Sequence, residues 1–154
     1  MTPRVPDRIL ITGSQTWKDR GTINQALAEV WWEWGCPSDA VMVSGGCPRG
    51  GDLLCEEAWD ARGYLVERHR PRWHEHGPDC PPSHEGLDVC MKAGFRRDGV
   101  MVDLGARRCL AFIDVCVSPK CSRKKPHGSH GASKTAALAK AAGIETTIYK
   151  SGWS

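Results

Sequence analysis

Short apolar runs alternate along the whole chain with longer stretches in which apolar positions recur every three to four residues. The first run, Arg8-Ile-Leu-Ile-Thr12, reads as a buried strand that stops at Gly13. Beyond a polar loop, Ile23, Ala26, Leu27, Val30, Trp31 and Trp34 fall at i, i+3, i+4, i+7, i+8 and i+11. That spacing lays one continuous apolar face along a helix, which Gly35 and Pro37 end. Residues 40–44 predict a second strand that runs into Gly45 and Gly46, and residues 51–62 a helix stopped by Gly63. Further strands are expected over residues 64–69, 107–113 and 146–149, with helices over 95–104 and 133–142. Strands that alternate with helices imply right-handed crossovers, so the expectation is an α/β, Rossmann-like fold: a mainly parallel sheet with helices on both faces.

Residues 1–154 read as one domain, with two loops that break the pattern, 71–94 and 114–131, both rich in Pro, Cys, His and Gly. Hydrophobic residues make up 40% and charged residues 25%, a globular balance. The net charge of +3 is mild, and Arg123-Lys124-Lys125 is the only basic cluster. This is a weak footprint for a duplex binder, which favours a small anionic partner over nucleic acid. No run reaches the roughly 18–20 apolar residues of a membrane span, and the polar first residues lack the apolar core of a signal peptide. The expected location is therefore the reducing cytoplasm, without membrane association. That bears on the eight cysteines, for which burial or metal binding becomes the better reading than disulfides.

Three glycine-containing loops follow strands or open helices: 13–17, 45–52 and 128–133. In open parallel sheets, ligands bind beyond the carboxyl ends of the strands. Glycine lets backbone N–H groups approach a phosphate closely, and a helix N-terminus adds favourable partial charge. Arg49 adds a bidentate phosphate donor, and Asp52 an acceptor for a ribose hydroxyl or a helix cap. Neither G-x-x-x-x-G-K-[ST] nor a G-x-G-x-x-G after the first strand is present, which excludes a P-loop and a dinucleotide fingerprint.

The segments Arg8 to Trp17 and Ser44 to Asp52, with Phe95 to Asp98, Gly131 to Ser133 and Ala142 to Ile144, resemble the YspA/YpsA-related branch of the SLOG superfamily, often encoded in actinobacteria and their phages. The resemblance implies a Rossmann-like fold that recognises nucleotides or their derivatives. It places Gly13, Ser14, Thr16, Gly45, Gly46, Arg49, Gly50, Asp52 and Arg97 at the ligand edge, and the third loop adds Gly131 and Ser133. Two departures stand out: Gln15 where family members commonly have Arg, and Asp98 where they have Asn. The related lysine-decarboxylase-like enzymes carry P-G-G-x-G-T-x-x-E, but residues 128–134 hold no such Pro-Gly-Gly and no Glu. The expected function is thus ligand binding without turnover, as sensor or sequestering module. A nucleosidase or phosphoribohydrolase using Asp52, Asp98 or Asp103 is the alternative. Single-stranded nucleic-acid binding through Trp73, Arg70, Arg72 and residues 123–125 ranks third.

Cys80, Cys90, Cys116 and Cys121 lie in the two irregular loops together with His74, His76, His84, His127 and His130. Both loops are expected at the carboxyl edge, where they could meet. Thiolates and imidazoles that converge in a reducing cell suit tetrahedral zinc. The expected site is one structural zinc on these four cysteines, with His84 or His127 replacing one of them. A homodimer through the apolar first helix completes the expectations.

Overall fold

The computed structural model describes residues 6–84, 86–90 and 92–153; the side chain of His84 is outside the described set. The elements run β1 (Arg8–Gly13), α1 (Arg20–Glu33), β2 (Val41–Ser44), α2 (Gly51–Asp60), β3 (Val66–Arg68), α3 (Ala93–Asp103), β4 (Arg108–Asp114), α4 (His130–Ala141) and β5 (Glu145–Ser151). The five strands form one parallel sheet in the order β3-β2-β1-β4-β5. This is an α/β, Rossmann-like architecture.

Alternation along β1 sorts the core. Ile9 and Ile11 face α1 and α2, where they pack with Ile23, Leu27, Leu54 and the fully buried Trp59. Leu10 faces the other side with Val43, Met101, Val102 and Ala139 of α3 and α4. A strand buried on both faces has no polar alternation, which is why β1 and β4 read as near-continuous apolar runs. Trp31 and Trp34 are only partly buried: Trp31 Nε1 donates to the Pro37 carbonyl, and Arg107 lies over the Trp34 ring.

Several element ends differ from expectation, among them those of β3 and α4. β3 is three residues long, paired with β2 at the edge of the sheet. α4 begins at His130, three residues early, after Ser129 N–H closes on the Asp114 carbonyl. Among the described residues no helix is long and apolar enough to cross a membrane.

The start of α2 is packed directly on the end of β1. A Cβ on Gly51 would lie 2.6 Å from the Gly13 Cα, so both positions must lack side chains. Gly50, at φ +73°, would drive a Cβ into the Ser14 carbonyl. This contact, sealed by Gly51 N–H donating to Ser14 O at 3.0 Å, gives the glycines of the second loop a packing role.

Candidate functional site

β1 and β4 are the neighbours at which the strand order reverses: β1 leads to a helix on one face of the sheet, β4 to a helix on the other. Between their carboxyl ends opens a cleft of about 420 Å³. Its rim comes from the loop after β1, the segment after β4 and the first turn of α4. Ser14 joins these parts: its hydroxyl accepts from Asp114 N–H at 2.8 Å and is hydrogen-bonded to the Ser129 hydroxyl. Thr16 Oγ1 donates to Asp114 Oδ2 at 2.8 Å on the open side.

The floor is acidic. Asp52 and Asp98 are both buried and both line the cleft. Burial raises the Asp52 carboxyl to about 7, against the opposing pull of the Cys47 N–H and the Arg97 guanidinium. Burial also raises Asp98, which Arg97 and Thr135 partly offset. Arg97 bonds Asp98 through Nε at 2.7 Å, and through Nη1 the Gly45 carbonyl at 2.6 Å and the His69 carbonyl at 3.3 Å. A phosphate on this floor would meet two buried carboxyl groups. The better anion position is the α4 N-terminus at the rim, where the first-turn N–H groups ahead of Ser133 have no carbonyl within the helix to bond.

Of the ligand residues expected from sequence, the cleft brings together Gly13, Ser14, Thr16, Asp52, Arg97 and Gly131. Gly45, Gly46, Arg49, Gly50 and Ser133 do not line it. Gly50 is spent on packing, Gly45 backs onto Arg97, and Arg49 is exposed. Asp52 does not cap α2, whose N-cap is Gly50; it accepts from Cys47 N–H at 3.3 Å. Asp103, at the far end of α3, is exposed and outside the cleft. A second recess, about 430 Å³, lies beyond β3 and is lined by Arg68, Arg70, Arg72, Arg96 and Arg97. Arg68 there is already paired with Glu56 and Asp60, and Arg72 with Glu75.

The four loop cysteines do not share one site. β3 and β4 are three strand spacings apart, roughly 14 Å, so the loops that leave them find separate partners. His76, Cys80 and Cys90 form one cluster; Cys116, Cys121, His127 and His130 form the other. Each set could hold a metal ion. His127 is thus a ligand candidate beside two cysteines rather than a replacement for one, while His76 and His130 become ligand candidates that their sequence positions did not single out. The run Cys116-x4-Cys121-x5-His127-x2-His130 was the signal for the second set. The side chain of His84 lies outside the described residues. Of the remaining four cysteines, Cys36 and Cys47 are partly exposed, whereas Cys55 and Cys109 are fully buried in the core, and burial pushes the Cys109 thiol up to about 12.

Residues 7–76, from β1 to just past β3, match the YspA, cpYpsA-related SLOG family. The chain is also similar to the Gene 61 protein of Mycobacterium phage D29, 39% identical over 109 residues that cover 68% of this chain and 75% of that protein. No solved structure matches the chain.

Proposed function

Because the chain belongs to the YspA, cpYpsA-related SLOG family, we propose that it binds a nucleotide or nucleotide-derived ligand in the cleft between β1 and β4, as a sensor or sequestering module. The observation that carries this reading is the cleft's division of labour. An open helix N-terminus stands at the rim, and buried carboxylates stand at the floor. Phosphate oxygens suit the first, and ribose hydroxyls or base N–H groups suit the second. The accompanying cofactor is structural zinc in the Cys/His loops. The setting is the reducing interior of a cell, and the partner is a small molecule. A homodimer through the outer face of α1, where Trp32 stands 71% exposed, belongs to the same proposal and is checked by light scattering.

Calorimetry with nucleoside phosphates, cyclic dinucleotides and ADP-ribose tests the reading. Gly131 has open space where a Cβ would go, so Gly131→Asp keeps the fold and sets a negative charge at the rim. We expect the affinity of whichever ligand binds to fall by about tenfold or more, with thermal stability unchanged or slightly raised, since a carboxylate suits a helix N-terminus. If none of these ligands binds the wild-type protein, the reading is wrong.

A second reading, a hydrolase acting on the same ligands, is favoured by one observation. The Asp52 carboxyl, raised to about 7 and lining the cleft, is poised as a general acid or base. Product analysis after incubation with nucleoside monophosphates decides between the two. A binder returns them intact, whereas a hydrolase releases free base and loses that release in Asp52→Asn.

A further inference from the structure

We infer that Cys116, Cys121, His127 and His130 form a closed tetrahedral zinc site that ties the end of β4 to the first turn of α4, and so builds the rim of the cleft.

The geometry is that of a coordination shell. Zinc–sulfur bonds of about 2.3 Å and zinc–nitrogen bonds of about 2.05 Å set tetrahedral vertices roughly 3.5 Å apart for S···N and roughly 3.3 Å for N···N. Cys121 Sγ lies 3.4 Å from His127 Nε2 and 3.5 Å from His130 Nε2. Cys116 Sγ lies 3.7 Å from His130 Nε2, and the two Nε2 atoms are 3.1 Å apart. All four ligand atoms fall within 4.8 Å of one another. His127 Nδ1 donates to the Lys125 carbonyl at 2.8 Å, which leaves the lone pair on Nε2 facing the centre. Two thiolates neutralise the divalent charge, and the two imidazoles fill the shell, so no position is left for substrate.

The segment needs such a tie. Between β4 and α4 its backbone is held near its two ends, by the Val115–Gly128 bridge, by Val115 N–H to Ser151 O, by Cys116 N–H to His127 O and by Ser129 N–H to Asp114 O, and residues 117–120 and 122–126 are exposed. It contributes no side chain to the core clusters. Cys116 stands two residues past β4, and His130 is the first residue of α4; both line the cleft. A bond from each to one ion fixes the spacing between strand end and helix start. Zinc uptake releases the two thiol protons to solvent and converts binding energy into order of this segment. The consequence for ligand affinity rests on the cleft reading above; the ordering of the rim does not.

Two measurements on the full chain test the inference. Cobalt replaces zinc in titration, and its absorption reports tetrahedral geometry and thiolate ligation. We expect one tight equivalent with a two-thiolate, tetrahedral spectrum, retained in Cys80→Ser and lost in both Cys121→Ser and His127→Ala. Survival of that spectrum in the latter two variants, or its absence in wild type, overturns the site. Hydrogen exchange then compares metal-loaded and chelated wild type, with expected speeding of about tenfold or more for peptides spanning 114–133 and little change over 8–13. Equal exchange in both states overturns the ordering role. Failure of every nucleotide to bind zinc-loaded protein would instead discredit the cleft reading and leave both results standing.

Discussion

The two cysteine loops look alike as sequence and differ as chemistry. In the loop after β4, four ligand atoms meet. In the loop after β3, three meet, and Arg96 Nη2 donates to both sulfurs, at 2.6 Å to Cys90 and 3.3 Å to Cys80. His76 Nε2 bonds the Leu87 carbonyl, so its Nδ1 faces Cys80 at 3.7 Å in the orientation of a ligand. The Gly77 N–H, with Cys90 and Arg96, holds the Cys80 thiol below its usual value. A guanidinium stabilises thiolates but competes with an ion for the same two sulfurs. The lesson is that cysteine count is a poor guide to a metal site. What matters is whether the neighbourhood supplies a fourth donor or a competing charge.

The largest effect should separate the loops by stability. Chelation, or Cys121→Ser, should cost on the order of 3 kcal/mol in denaturant unfolding, since the metal stands in for an absent core. Cys80→Ser should cost about 1 kcal/mol or less, as its loop is also held by the Arg96–Asp79 ion pair. Equal losses would erase the distinction.

The cleft floor sharpens the comparison, because its electrostatics should ignore the metal. Asp52 has a folded pKa raised from 3.8 to about 7, so the native state holds this proton more tightly than the unfolded chain does. Its contribution therefore makes stability fall as pH rises from about 4 to about 7 and stay level above that. Asp52→Asn should remove that decline and raise stability at pH 8 by about 2 kcal/mol, with or without zinc. Denaturation curves across pH check this, and a decline that persists in the variant rules it out.

The smallest effect concerns Arg96. Arg96→Gln removes the cation from Cys80 and Cys90 and should change stability by under about 1 kcal/mol. It should let a second cobalt equivalent bind several-fold more tightly at His76, Cys80 and Cys90, as read by titration. If wild type already takes that second equivalent as tightly as the variant, the guanidinium is no competitor.

Local pattern alone determined a good deal here. The strands and helices, and the glycine-containing turns that follow β1 and open α4, follow from periodicity and turn chemistry, which act over a few residues. Strand order decided the rest. It set β3 three places from β4, so an expected four-cysteine centre became two clusters with different histidines. It also brought Arg97 from α3 to the Gly45 carbonyl, 52 residues away in sequence. Asp98, which as sequence reads as a charge opposed to phosphate, became the partner of that arginine at the cleft floor. Such pairings depend on which elements pack together across the sheet, and no periodicity along the chain encodes that.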